Sequence, residues 1–149
     1  MTYTELVAAI QNYAENTFTY DVVTGRDPMD TFIRQAEQRI YNTVQFPSLR
    51  RNVTGYTSTS NKYLACPSDF LAVYSISVVN TDGSYEYLLN KDVNFIREAY
   101  PTANDTGKPA YYALFGPDTA AINELSFIVG PTPDDAYSVE LHYFYYPES

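Results

Sequence analysis

The sequence has few of the residues on which enzyme sites and disulfide-stabilised folds depend. Its 149 residues include one cysteine, one histidine and no tryptophan. The lone Cys66 cannot form an internal disulfide, so the fold does not require oxidation. The lone His142 excludes metal sites built on two histidines, and any Ser-His-Asp triad would have to use it. No Gly-x-Ser-x-Gly sequence presents a nucleophile, so we expect a structural or surface role for His142.

Motifs that hold phosphates, cofactors or metals are also missing. The six glycines form no G-x-G-x-x-G sequence, and the one Gly-Lys pair lacks the preceding glycine of a phosphate-binding loop. The pairs Asp27/Asp30 and Asp134/Asp135 could bind a cation, but their positions fit a helix start and a turn better. The sequence therefore predicts no enzyme, no catalytic residue, no cofactor and no metal. A small hydrolase with paired carboxylates is the less favoured alternative.

Long hydrophobic runs and a basic surface are absent as well. We expect no secretory signal and no membrane helix, because no apolar stretch approaches the ~18 residues that a bilayer requires. The net charge of −9 arises in residues 63–149, which carry twelve acidic and three basic groups, while residues 1–62 carry six of each. Nucleic-acid binding needs clustered Lys and Arg. An acidic surface instead serves solubility, or a passage along which DNA must not adhere.

The first fifty residues have helical periodicity. Thr2 and Glu5 fit a capping box at the start of the first helix. Asp27 as N-cap and Pro28 at the first helical position predict a second helix, which should end at Pro47. Between the helices we expect a connector or a short extended segment at residues 17–24, which are rich in β-branched and aromatic side chains. The stripes predicted for the second helix consist of Ile33, Ala36, Glu37, Ile40, Tyr41 and Val44, with Phe32 beside them, while Arg34, Gln38 and Arg39 should face water.

From residue 51 onward the periodicity changes to that of strands. The predicted strands are 52–58, 62–66, 74–78, 85–89, 110–115, 124–129 and 138–145, with a short helix at 91–100. Segments 52–58 and 62–66 are interpreted as a hairpin, and 85–89 should pair back from an Asp-Gly turn. Tyr74, Ile76 and Val78 should share a buried face, opposite Ser75 and Ser77.

This order of elements predicts an α+β fold in one compact chain. A helical region at 1–50, arranged as a hairpin or bundle, precedes a β-rich region at 51–149. The β-rich region is expected to be an antiparallel sandwich or barrel-like domain with one inserted short helix.

Aromatic residues are the most unusual feature that is present. The chain has 16 Tyr and 8 Phe, and the last strand carries rings on both faces. Val139, Leu141, Tyr143 and Tyr145 should lie opposite Glu140, His142, Phe144 and Tyr146. Either both faces of such a sheet are covered within the monomer, or one face meets another subunit. Base stacking is disfavoured because the neighbouring charges are acidic.

The order of several segments resembles the head-to-tail connector (adaptor) protein family of tailed bacteriophages. The segments are FIRQAEQRI at 32–40, YLACPSDFL at 63–71, YLL at 87–89, GKPAYY at 107–112, IVGPTP at 128–133 and LHYFYYP at 141–147. The resemblance covers most of residues 30–147.

This resemblance implies a structural virion protein of the neck, assembled in the host cytoplasm. Such adaptors form a ring of about twelve copies below the portal protein and connect it to a tail nozzle or tail tube protein. The ring gives DNA a channel, used in ejection, without specific binding. Residues 1–50 would dock on the portal. We hypothesise that acidic side chains of the second half line or rim the channel: Asp105, Asp118, Glu124, Asp134 and Asp135.

The residues expected to contact partners lie on the second helix and the last strand. They are Phe32, Arg34, Glu37, Arg39, Tyr41, Tyr143, Tyr145 and Tyr146. The alternative functions are another neck or tail-completion virion protein, or a Tyr-rich β-module that binds carbohydrate or protein.

Overall fold

The fold is described from a computed structural model, which covers residues 1–19, 25, 27–117 and 125–147. The chain divides into two compact units, residues 1–45 and residues 46–148, called here the helical unit and the β unit. Helices and two sheets confirm the predicted α+β class. Among the described residues, no helix combines the length and apolar character needed to cross a bilayer.

The helical unit contains α1 (Tyr3–Ala14) and α2 (Pro28–Thr43). Both predicted starts are confirmed. The Thr2 hydroxyl accepts from the Glu5 N–H at 3.3 Å, while the Glu5 carboxylate accepts from the Thr2 N–H at 2.8 Å. Asp27 accepts from the Met29 N–H at 2.9 Å. Of the connector predicted at 17–24, residues 20–24 lie outside the described part of the chain.

As described, the β unit is a sandwich of two four-stranded sheets with one α-helix, preceded by a short 3-10 helix at Pro47–Leu49. Its elements are β1 (Arg50–Tyr56), β2 (Tyr63–Ala65), β3 (Phe70–Val79), β4 (Tyr85–Tyr87), β5 (Leu89–Asn90), α3 (Val93–Ala99), β6 (Tyr111–Gly116), β7 (Ser126–Gly130) and β8 (Ser138–Tyr145). Sheet 1 has the order β1-β8-β3-β4 and sheet 2 the order β2-β7-β6-β5. All pairs are antiparallel except β5 with β6. Over the residues described, neither sheet closes into a barrel.

The main core lies between the two sheets. Ile76 and Leu141 of sheet 1 belong to the same buried cluster as Phe127 and Val129 of sheet 2. Phe70 packs edge-to-face on Phe127, with ring centroids 5.5 Å apart. Since apolar burial is the largest favourable term in folding, this layer holds the sandwich together.

A second buried cluster lies between α3 and the other side of sheet 2. Ile96 of α3 packs on Ala113 and Ile128. As a result, all five residues of β7 are buried, because both of its faces are covered. Gly130 lets α3 approach this closely, because a Cβ there would lie 2.8 Å from the Tyr100 ring and 2.9 Å from the Ile96 side chain.

The predicted hairpin of 52–58 with 62–66 is wrong. β1 pairs with β8 in sheet 1, while β2 pairs with β7 in sheet 2, so the chain crosses between the sheets. The connecting loop is held by the segment that leads into β8. Thr57 N–H donates to the Tyr137 carbonyl at 3.0 Å, and Ser60 N–H donates to the Pro133 carbonyl at 2.8 Å. These long-range bonds replace the short-range pairing that a hairpin would use.

The predicted strand 85–89 is divided in two. Its first part, β4, pairs back on β3 as expected. Leu88 is buried in the main core, and β5 then joins sheet 2 beside β6. Leu88 N–H donates to the Ile76 carbonyl, and Leu89 N–H donates to the Ala110 carbonyl, both at 2.9 Å. The adjacent residues Leu88 and Leu89 therefore mark the point where the chain passes from sheet 1 to sheet 2.

We predict that Gly130→Ala destabilises the β unit by about 1–3 kcal/mol, because the added methyl group forces α3 away from β7. Urea unfolding followed by tyrosine fluorescence measures the change. Gly55→Ala is the matched control, since a Cβ at Gly55 in β1 has no atom within 4 Å. Equal stability of the two variants would show that α3 does not need the close approach.

Candidate partner interface

Sheet 1 has one face turned away from the core, called here the outer face. Residues paired across strands share a face, so the pairs Thr54–Glu140, Glu140–Ser77 and Ser77–Tyr87 define it. The residues that point outward are Arg50, Asn52, Thr54, Tyr56, Ser75, Ser77, Val79, Tyr85, Tyr87, Ser138, Glu140, His142 and Phe144. While α3 covers the corresponding face of sheet 2, many side chains of the outer face are exposed.

Tyrosines lie at the margins of the outer face. Tyr56, Tyr74, Tyr85 and Tyr87 are 72, 55, 49 and 64% exposed. A tyrosine ring supplies a large apolar contact together with a hydroxyl, and it loses little conformational entropy on binding. Several such rings on one sheet face are typical of a surface that another protein covers.

Tyr74 reaches the outer face through a β-bulge. The β3–β8 register shifts between Val73 and Ser75, so Tyr74 is the extra residue, and the prediction that it shares the buried face of Ile76 is wrong. Ser77 lies on the outer face, opposite Ile76 and Val78 as predicted, but it is buried there rather than facing water. The Tyr74 ring packs edge-on to Phe144, with centroids 6.2 Å apart.

Arg50 lies over this aromatic pair. Its guanidinium carbon is 4.2 Å from the Tyr74 ring centroid and 5.3 Å from that of Phe144. A guanidinium at this distance is attracted to the ring face. The cluster of Arg50, Tyr74 and Phe144 thus presents an ordered cationic and aromatic corner at one end of the outer face.

The middle of the outer face is polar. His142 Nε2 is 3.3 Å from Glu140 Oε1, and His142 Nδ1 is 3.5 Å from the Ser75 hydroxyl. The charge of Glu140 raises the pKa of the Tyr85 hydroxyl above its usual range. Nucleophile elbows present serine at a strained turn, whereas Ser75 lies within a strand on a sheet face. Glu140 and Ser75 thus orient the His142 imidazole on the outer face.

The tyrosines predicted to contact partners on the last strand occupy different environments. Tyr143 is 4% exposed, and its hydroxyl donates to Asp69 Oδ1 at 2.9 Å. Arg51 donates to the other oxygen of Asp69 at 2.8 Å, and its guanidinium carbon lies 3.8 Å from the Tyr145 ring centroid. Tyr145 and Tyr146 are half-buried. Tyr143 is therefore part of the core in this structure and is not accessible to a partner.

The helical unit exposes an apolar stripe on α2. Phe32, Ala36 and Ile40 recur at helical spacing and are exposed; this set is called here the α2 stripe. Phe32 makes an edge-to-face contact with Phe18, with ring centroids 5.5 Å apart. Met29 is the only buried residue in the two helices as described.

The other predicted contact residues of α2 lie around the α2 stripe. Arg34 is exposed and lies 4.0 Å from Asp30, and Arg39 is exposed. Glu37 and Tyr41 are half-buried. The exposure of Ile40 was not predicted from the sequence. The signal for it is the width of the apolar surface of α2, whose two apolar rows are wider than a single packing partner usually covers.

An apolar groove of about 270 Å³ opens between β1 and β2, the edge strands of the two sheets. Its lining includes Val53, Leu64, Cys66 and Leu141. Burial raises the pKa of the Cys66 thiol to about 12. The thiol therefore remains protonated near neutral pH, which makes it a poor nucleophile.

Of the acidic residues proposed to line the channel, those within the described residues accept hydrogen bonds from nearby groups of the same chain. The Tyr137 hydroxyl donates to Asp134 at 2.6 Å, and Asp105 accepts from the Thr102 N–H at 2.9 Å. Asp134 and Asp135 are exposed. Asp118 and Glu124 lie outside the described residues. Within the described ranges, no group of three or more potential ligands could hold a metal ion.

Comparison with known proteins gives one family. The model of the SU10 adaptor protein family matches residues 1–149, the whole length of the chain. Among curated proteins, no match is found.

We predict slow reaction of Cys66 with a thiol reagent such as 5,5′-dithiobis(2-nitrobenzoate) at pH 8, because only the thiolate attacks and the raised pKa leaves little of it. Unfolding in guanidinium should restore the rate of an ordinary thiol. The single cysteine makes the absorbance trace unambiguous. A native rate equal to the unfolded rate would mean that the β1–β2 groove is open to solvent.

Proposed function

Since the chain belongs to the SU10 adaptor protein family, and is thus a structural adaptor protein of the phage neck, we propose that it forms a ring below the portal protein. The ring joins the portal to a tail nozzle or tail tube protein and surrounds the path of the DNA. The match over the whole chain is the observation that carries this proposal.

The helical unit is the part that docks on the portal. The α2 stripe is exposed, and among the described residues of the helical unit Met29 alone is buried. Helices of this length gain most of their stability from packing an apolar face. A portal surface that covers Phe32, Ala36 and Ile40 would supply that packing, with Arg34 and Arg39 at its polar rim.

The β unit contacts neighbouring copies of the chain and the tail protein. Its outer face offers four exposed tyrosines and the Arg50 corner for protein contacts. The half-buried Tyr145 and Tyr146 remain proposed contacts at the end of β8.

The acidic charge of the second half suits a channel. Each phosphate contact with Lys or Arg would hold the DNA, whereas exposed carboxylates such as Asp134 and Asp135 repel it. DNA then passes without specific binding. In this proposal the chain needs no cofactor and catalyses no reaction.

We predict that Ile40→Glu weakens portal binding by at least about tenfold, because it places a charge in the contact that buries the α2 stripe. Purified portal rings are mixed with the wild-type chain or the variant. Light scattering and negative-stain electron microscopy then measure the added ring and the ratio of subunits to portal chains. The wild-type chain should add about one subunit per portal chain at one pole.

Gln35→Glu is the matched control, because Gln35 is exposed on the same helix and the charge change is identical. It should bind as the wild type does. Equal losses in both variants would point to charge alone rather than to the α2 stripe. If the wild-type chain does not bind an intact portal, the adaptor proposal fails in favour of a tail-side virion protein or a Tyr-rich binding module.

A further inference from the structure

The free edges of the two sheets differ in length. Sheet 2 ends in β2 and β5, which have three and two residues. Sheet 1 ends in β4, with three residues, and in β1, with seven. An exposed edge of seven residues can template pairing with another chain, and natural proteins commonly protect it with proline, lysine or a covering segment. β1 contains no proline or lysine, its two charged residues, Arg50 and Arg51, occupy only its first two positions, and among the described residues it pairs only with β8.

The backbone groups on the free edge of β1 can be assigned from its pairing. Thr57 N–H donates to the Tyr137 carbonyl, so this is a hydrogen-bonded pair of the β1–β8 ladder. Such pairs alternate along antiparallel strands, which makes Gly55–Val139 and Val53–Leu141 hydrogen-bonded pairs too. The N–H and C=O groups of Asn52, Thr54 and Tyr56 therefore point away from the sheet.

The same argument applies to β4. Asn80 N–H donates to the Ser84 carbonyl, and Leu88 N–H donates to the Ile76 carbonyl. The hydrogen-bonded pairs thus include Val78–Glu86, and the backbone groups of Tyr85 and Tyr87 point away from β3. On both edges, the residues whose backbone groups are free carry side chains on the outer face.

We propose that sheet 1 continues from one copy to the next, with the free edge of β1 paired antiparallel to β4 of a second copy of this chain. This inference rests on the ring of the proposed function. Sheet 1 has four antiparallel strands, so copies related by rotation bring β1 beside a strand of opposite direction. The residues of β1 and β4 whose backbone groups point away from the sheet all carry their side chains on the outer face. The outer face therefore continues across the junction between copies. Because the two edges are different surfaces, the contact is head-to-tail, which is the kind of contact that forms a ring when the rotation between copies closes.

The rows of sheet 1 suggest the register of this junction. One row runs Tyr56–Ser138–Val79–Tyr85, and the next runs Thr54–Glu140–Ser77–Tyr87. Copies related without a shift along the strands place Tyr56 opposite Tyr85, and Thr54 opposite Tyr87. These pairs carry no like charges, and an aromatic pair across strands is favourable. The pairing is short, so it fixes the direction of assembly while other contacts add affinity.

The first test is Thr54→Pro, compared with Thr54→Val. Proline removes the N–H that points to the second copy but leaves the β1–β8 bonds made by Val53 and Gly55 in place. We expect Thr54→Pro to reduce ring assembly on portal particles about tenfold, as lost edge hydrogen bonds imply. Thr54→Val should assemble as the wild type does. Circular dichroism and thermal unfolding establish that both variants are folded, and Thr54→Lys replaces the proline variant if that one unfolds.

The second test is a disulfide between copies. In a Cys66→Ser background, Thr54→Cys with Tyr87→Cys should give a ladder of covalent multimers on non-reducing gels. Within one copy these positions are about 14 Å apart, three strand spacings, which is too far for a disulfide. The control pair is Thr59→Cys with Tyr87→Cys, since Thr59 is exposed but lies in the loop after β1.

The outcomes separate this inference from the adaptor proposal. If wild-type rings form on the portal, but Thr54→Pro assembles equally well and the 54/87 pair cross-links no faster than the control, the edge pairing is wrong and the adaptor proposal stands. If the chain does not bind the portal, but the 54/87 pair cross-links in the free chain, the adaptor proposal fails and the edge pairing stands. Cross-linking of either edge only to a tail protein would also overturn the pairing between copies.

Discussion

The burial of β7 on both faces is the constraint on which the rest of the β unit depends. Alternate residues of this strand face in opposite directions, so Phe127 and Val129 fill the space between the sheets while Ile128 packs against α3. Since α3 is on that side, sheet 2 is covered on both faces. Sheet 1 packs on the core with one face only, and its outer face keeps tyrosines exposed. The exposed outer face is thus a consequence of which sheet α3 covers.

Local signals in the sequence were sufficient for the elements but not for their pairing. The caps at Thr2 and Asp27 act over three residues, and strand alternation is visible within a few positions, so the helix starts and most strands were predicted correctly. The partners of β1 and β2 were not, because alternation has the same pattern whichever strand lies alongside. Their placement depends on bonds from the 57–60 loop to residues near β8, which are distant in sequence.

The candidate interface was predictable only in outline. The excess of aromatic residues, and their presence on both faces of strands, indicated a surface for protein contact. Which rings are exposed depended on features without a local signal: the bulge that turns Tyr74 outward, and the Asp69 carboxylate that binds the buried Tyr143 hydroxyl. The assignment as an adaptor came from the resemblance and the family match. The residues by themselves indicated mainly that catalytic and cofactor-binding motifs are missing from the sequence. Surfaces that bind proteins need no fixed residue set, whereas catalytic sites do.

The small amount of burial in the helical unit has a consequence for the timing of assembly. The inter-sheet core gives the β unit a source of stability of its own, whereas two helices that bury Met29 alone gain little apolar stabilisation from each other. In the proposed docking on the portal, part of the binding free energy is then used to order the helices, which lowers the affinity for a given area covered. In the proposed docking, ordering of the helices on the portal would act as a checkpoint, which delays commitment until the correct surface is present.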